Sequence, residues 1–171
     1  MKKILIGFFS GICLILLSGY VILLSGGIPV ATKGEPFPFE RYFANKAIHI
    51  AIGQEVNKKS PLLIDEINMQ NGAKVYMNSC AVCHGGLGGQ LTSIAKGLFP
   101  KPPQLLELDD QIIDDPIGEV YWKVKNGIRL TGMPGFIDSL SETEIWQVSQ
   151  LLTNVNKISV ETKSILITNQ K

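Results

Sequence analysis

The residues best equipped for chemistry are Cys80-Ala81-Val82-Cys83-His84. Two thiols three positions apart, followed at once by an imidazole, make the C-x-x-C-H signature for covalent attachment of c-type haem. The spacing has a physical basis: the thiols can reach the two vinyl groups on one porphyrin edge, and the imidazole then lies under the iron. A thioredoxin-like use of C-x-x-C asks for a βαβ setting, and no strand pattern precedes Cys80. A structural zinc site needs four ligands, and beyond this motif the chain has only His49, far upstream in another segment. His49 reads as a polar-face or partly buried histidine, with a spare metal ligand as the alternative.

A haem iron held by His84 has a second axial position to fill. The chain has four methionines. Met1 is terminal, and Met69 and Met77 lead into Cys80 on the His84 side of the haem. Met133 remains, 49 residues after His84, which is enough chain to wrap around a haem. Its neighbours Gly132 and Pro134 favour a non-helical backbone that can aim the thioether at the iron. The other reading of Met133 is a loop methionine filling a gap in the core.

Three helices are expected to position these residues. The first covers Asp65–Ser79, with Met69, Gly72, Tyr76 and Ser79 on one face. Gly72 inside a helix costs about 1 kcal/mol relative to alanine, so another helix is expected to cross closely there. The partner is the helix announced by the capping box Ser141-x-x-Glu144, whose apolar stripe is Ile145, Val148 and Leu152. Between them, Asp115 as N-cap and Pro116 at the first helical position open a third helix. Its apolar face is Ile117, Val120, Tyr121 and Val124, and Gly127 stops it.

The rest of the chain bears on location. Lys2 and Lys3 precede Ile4–Leu24, 21 residues without a charge. Such a run spans roughly 30 Å as a helix, the thickness of a bilayer core. It is longer than a typical signal-peptide core and has a poor cleavage context, so it reads as an uncleaved anchor, with a cleaved signal as the alternative. Either way the lysines stay inside, and residues 25–171 face outward. Cys13 within the run follows Ile12, unlike a lipoprotein cysteine, and reads as a small apolar filler. Residues 25–40 are a Gly/Pro-rich linker. Arg41–Val56 repeats apolar residues at helical spacing (Phe43, Ala47, Ile50, with Ala44, Ile48 and Ala51), and its apolar face could pack on the next domain, the bilayer or a partner. The domain plan is therefore an anchor over 1–24, a linker with a short amphipathic helix over 25–64, a haem domain over 65–156 and a tail over 157–171.

Sixteen basic and fifteen acidic residues give a net charge of +1, with no concentrated basic face, which argues against a nucleic-acid binder. Three cysteines, only two of them close together, make no disulfide framework. Glu107, Asp109, Asp110, Asp114, Asp115 and Glu119 form an acidic run that reads as a solvated loop or a docking face for a basic partner. Lys123, Lys125 and Arg129, near Met133, could meet an acidic one.

Taken in order, Gly72-Ala-Lys-Val-Tyr76, Cys80-x-x-Cys83-His84-Gly85, Pro103-x-Leu105, Gly132-Met133-Pro134 and Glu144-Ile-Trp146 resemble the class I cytochromes c, specifically the membrane-anchored bacterial monohaem members. The resemblance covers Met69 to Asn154. It implies an all-α class I fold, here behind an N-terminal transmembrane helix, with terminal helices crossed beside one covalently attached haem c. It also implies thioethers at Cys80 and Cys83, axial ligation of the iron by His84 and Met133, and a Pro103 carbonyl that accepts a hydrogen bond from His84. Gln150 stands where many members carry an aromatic residue, so the helix crossing is expected to lean on Trp146.

His/Met ligation leaves no vacant iron site and raises the reduction potential. The expected function is therefore single-electron transfer, not catalysis, between a redox donor and acceptor at the periplasmic face of a bacterial inner membrane. The alternative is a haem-bearing electron-transfer subunit of a membrane-associated dehydrogenase or respiratory complex. An enzyme or gas sensor would need Met133 to be absent or labile.

Overall fold

The computed structural model describes residues 1–107 and 115–167. The chain forms two compact units that divide between Phe43 and Ala44. The described residues are helical and contain no β-strand.

The first unit is dominated by helix α1 (Lys2–Leu24), which buries none of its residues. Its mean hydropathy of 2.3 over the best window and its 23 residues make it long and apolar enough to cross a membrane. Helix α2 (Glu40–Ile52) begins at the end of this unit and continues into the second, where a 3-10 turn over Gly53–Asn57 follows it.

In the second unit, helix α3 (Glu66–Ser79) begins where the Asp65 carboxylate accepts the Asn68 N–H at 2.8 Å. Satisfying that orphan donor fixes the start of the helix. Short helices α4 (Ala81–His84) and α5 (Ser93–Gly97) follow. Next come α6 (Ile117–Asn126), α7 (Glu142–Thr153) and α8 (Val160–Leu166).

The crossing of α3 over α7 organises the core. A Cβ on Gly72 would lie against the Gln147 carbonyl oxygen and 2.8 Å from its carbon, so only glycine lets the two backbones approach this closely. Both halves of the Ser141/Glu144 capping box are formed. Helix α6 packs on α7 through Tyr121 and Trp146, whose rings stack with centroids 3.9 Å and planes 16° apart. Trp146 thus leans on α6, while the crossing itself runs over Gln147 and Leu151.

Helix α6 departs from the expected start. Pro116 occupies the N-cap with ψ 139°, so the first helical residue is Ile117. The Asp115 carboxylate makes no cap; it takes a 2.9 Å ion pair with Lys123 instead. Gly127 ends the helix at φ 68°, as its position suggested.

Two attachments enlarge the second unit. Ile52 is buried, and the Glu55 and Val56 carbonyls lie directly over Gly118 of α6. Gln150, 1% exposed, donates to Ser60 Oγ at 3.0 Å and to the Leu62 carbonyl at 2.9 Å, which pins the segment before α3. The aromatic residue expected at this position is replaced by a polar tie. At the other end, residues read from sequence as a tail contain α8, which packs on α3. Leu166 is fully buried, and its carbonyl accepts the Leu87 N–H at 2.8 Å. Glu66 Oε1 accepts from Ser159 at 2.6 Å, Thr162 at 2.8 Å and Gln70 at 2.9 Å.

Candidate functional site

The Cys-x-x-Cys-His segment leaves the C-terminus of α3 as a single further helical turn. Cys80 N–H donates to the Tyr76 carbonyl at 2.8 Å, and the Cys80 carbonyl accepts from Cys83 and His84 N–H at 3.0 and 2.9 Å. This turn carries the side chains of Cys80, Cys83 and His84 to the wall of one cleft. Both cysteines are unpaired thiols, Cys80 buried and Cys83 half-buried. Burial, with Cys83 beside it, pushes the Cys80 thiol up to about 12.

The loop after the turn is held from three sides. The buried Tyr76 hydroxyl donates to the Gly85 carbonyl at 2.7 Å. Thr92 Oγ1 donates to the Val82 carbonyl at 2.6 Å. Gln104 Nε2 donates to the Gly89 carbonyl at 3.0 Å. The first two ties fix the backbone on either side of His84.

The His84 ring is oriented by Pro103, whose carbonyl oxygen lies 2.7 Å from Nδ1. An acceptor there requires the proton on Nδ1, which leaves the Nε2 lone pair available to a metal. Burial lowers the imidazole pKa, opposed by the bond to Pro103, and this favours the neutral ring that metal ligation needs. Proline supplies a carbonyl and no competing N–H.

The segment 128–136 also lines the cleft. Gly127, at φ 68°, turns the chain back so that the Met133 carbonyl and Gly135 N–H lie against it. Phe136 and Ile137 N–H then donate to the Val124 and Lys125 carbonyls at 3.1 and 3.2 Å. These are orphan acceptors of the last turn of α6, so the loop closes the helix end and the helix end fixes the loop. Within it, Met133 N–H donates to Thr131 Oγ1 at 3.1 Å, and the Met133 carbonyl accepts Ile128 N–H at 3.1 Å. Met133 is half-buried and lines the cleft.

The cleft has a volume of about 770 Å³, part of it open to solvent. Leu98, Leu105, Val124, Phe136 and Leu152 also line it. An apolar slot lined by two free thiols, an oriented imidazole and a methionine fits a haem bound through those thiols. The donor set is soft sulfur plus imidazole, and among the described residues no carboxylate lines the cleft, which suits haem iron and not a hard cation.

The structure therefore brings Cys80, Cys83, His84, Pro103 and Met133 together around one cleft. His49 is not among them; it is exposed on α2. No group of three or more His, Cys, Asp or Glu gathers among the described residues. Met69 is buried in the core and Met77 packs against it. Of the acidic run, Asp109, Asp110 and Asp114 lie outside the described residues. Lys123 is not free for an acidic partner: Asp115 at 2.9 Å and Glu119 at 2.7 Å hold it. Lys125 lies over the Tyr121 ring, 5.4 Å from its centre. The ties from Thr92, Gln104 and Gln150 went unseen in the sequence, because single polar residues in loops carry no periodic signal.

Compared with known families, residues 67–152 match the one described as "Cytochrome C oxidase, cbb3-type, subunit III". No curated protein matches the chain.

Proposed function

The chain belongs to the cytochrome c oxidase, cbb3-type, subunit III family, a c-type cytochrome family, and on that premise we propose that it is a membrane-anchored, monohaem, His/Met-ligated carrier of single electrons on the extracytoplasmic side. Its second unit carries a helical c-type cytochrome domain with covalently attached haem c, serving electron transfer. When bound, the haem iron supplies a one-electron Fe(II)/Fe(III) couple.

In this reading Cys80 and Cys83 hold the haem covalently. His84 and Met133 would ligate its iron. Pro103 holds the proton on His84 Nδ1, so Nε2 would be free to ligate the iron. The apolar walls exclude water and disfavour the more charged oxidised site, and the Met133 thioether acts in the same direction. Were His84 and Met133 both to ligate the iron, no open coordination site would be left for a substrate. Residues 1–24 serve as the anchor, with Lys2 and Lys3 on the cytoplasmic side. Residues 25–64 connect the anchor to the haem domain over 65–156, and α8 closes over α3.

The observation that carries the reading is that an oriented His84 and Met133 line the same apolar cleft. Two measurements test it. Potentiometric titration of the purified chain should follow a single one-electron curve; two resolved components would contradict one haem per chain. Replacing Cys80 and Cys83 by serine should abolish haem that survives denaturation. Retained covalent haem would remove these residues from their role.

The family match favours a second reading of the setting: the chain acts as a haem subunit within a terminal oxidase. The chemistry is unchanged, and the partner is a neighbouring redox subunit instead of a diffusing protein. Stable co-purification with oxidase subunits would select this reading, and isolation as a lone cytochrome would select the carrier.

A further inference from the structure

Helix α2 has two apolar faces, and the haem domain uses only one. Ile52 is buried at 3% exposure and Ile48 is half-buried. On another side, Phe43, Ala47 and Ile50 recur at helical spacing and lie exposed, with Phe43 at 65% and Ile50 at 69%. Phe39, one turn earlier, is 74% exposed. Lys46 flanks the stripe and Arg41 stands elsewhere on the same helix. The nearest acid is Glu40, whose carboxylate is turned back onto the Phe37 N–H at 2.8 Å.

The chain itself says what is near. A helix of membrane-spanning length and hydropathy ends at Leu24, and α2 begins at Glu40. The 15 residues between them reach at most about 50 Å when fully extended, so α2 is confined near any bilayer that holds α1. The intervening chain is not a plain hydrophilic tether: Ile28, Val30 and Phe37 are all exposed. Aromatic and aliphatic residues on one face with a lysine beside them are the composition of helices that lie in a membrane interface.

We propose that α2 is an interfacial helix, with Phe43, Ala47 and Ile50 seated at the headgroup–acyl boundary of the membrane that α1 spans. This rests on the anchor reading of α1. The face opposite the stripe, marked by Asn45 and Ile52, stays out of lipid. The chain thereby gains a second hold on the membrane beyond a flexible linker, and the basic residues favour anionic headgroups.

The test uses the full haem-loaded chain, without any partner, in vesicles of phosphatidylcholine and phosphatidylglycerol. Nitroxide labels are placed in separate variants at Ala47→Cys, Ile50→Cys and Asn45→Cys, all exposed positions. These three are made in a Cys13→Ser background, and Cys80 and Cys83 are occupied by haem. A fourth sample carries the label on native Cys13, in the middle of α1. An unchanged visible spectrum verifies that each variant is folded. Power saturation then compares collision with lipid-soluble oxygen and with a water-soluble nickel complex. The expected result is oxygen exceeding nickel at 13, 47 and 50, and the reverse at 45. Oxygen-dominated Cys13 with nickel-dominated 47 and 50 would overturn the proposal while leaving the anchor standing, and would turn attention to a protein partner for this face. Spin–spin broadening at 47 or 50 would assign the face to a second copy of the chain, and also overturn it. A nickel-dominated Cys13, or its loss by cleavage, would remove the anchor reading and this proposal with it.

Discussion

Gly72→Ala separates a local from a tertiary account of this fold. On helix propensity alone, alanine in the middle of α3 should stabilise the protein by about 1 kcal/mol. The crossing reverses the sign. The added methyl would press on the Gln147 carbonyl oxygen, 2.8 Å from its carbon and 3.3 Å from the Leu151 Cβ, where carbon contacts prefer about 3.5–4.0 Å. Its obstacle is backbone in the middle of a capped helix, so no flexible side chain can swing aside. Helices α3 and α7 must separate by up to about 1 Å, which forfeits about a quarter to a half of each dispersion contact along the seam. Overpacking of this kind costs about 1–3 kcal/mol, and a backbone obstacle puts the cost in the upper half. Subtracting the propensity gain leaves a net loss of about 1–2 kcal/mol. At about 4–8 °C per kcal/mol for a domain of this size, the melting temperature should fall by about 5–15 °C. The assay is thermal unfolding of the haem-loaded chain in detergent, followed by tryptophan emission, since Trp122 and Trp146 both lie in the second unit. A rise in melting temperature, or no change, would mean that the crossing does not depend on the missing Cβ.

Other perturbations reach different parts of the molecule. Met133→Ala should lower the reduction potential by on the order of 100 mV and let the reduced protein bind carbon monoxide; an unchanged potential would exclude Met133 as the ligand. Removing residues 159–171 exposes the Leu166 pocket and frees the Leu87 N–H, a loss of about 2–4 kcal/mol read by chemical denaturation; unchanged stability would make α8 a passive addition. Three hydrogen bonds, that from Ser159 first, hold the Glu66 pKa below its ordinary value. The stabilisation they reflect is present above the unfolded pKa of about 4.3 and lost as pH falls through the lower folded value. Hydrogen exchange of the α8 amides should therefore be slow at about pH 6 and faster, relative to intrinsic rates, at about pH 3; equal protection would show that Glu66 is not the latch.

How much of this was legible in the sequence follows from how each feature is encoded. That Cys80, Cys83, His84 and Met133 gather at one cleft was foreshadowed by their spacing and residue type. Gly72 and the Ser141/Glu144 box gave away the α3/α7 pair, since a glycine inside a helix and a reciprocal cap each have few explanations. Pro103 came from resemblance alone, because a backbone carbonyl has no signature of its own. The start of α6 was misplaced by one residue because Asp115 is a good cap in isolation, but Lys123 offers it an ion pair that only the folded chain brings near. Helix α8 was missed because seven residues are too few for a periodic signal. Its cap, Ser159 accepting the Thr162 N–H at 3.0 Å, was the one cue available. Gln150 was noted as a departure from its relatives, but its tie to Ser60 and Leu62 spans about 90 residues of sequence and cannot be seen without the fold.

The central claim is that this chain fills both axial positions of its haem iron with its own side chains. The most direct measurement is the visible absorption spectrum of the purified full chain, oxidised, then reduced, then exposed to carbon monoxide. The account predicts a low-spin c-type spectrum, a weak far-red band from iron–sulfur coordination in the oxidised state, and no response to the gas. A high-spin spectrum, or ready binding of carbon monoxide, would contradict it.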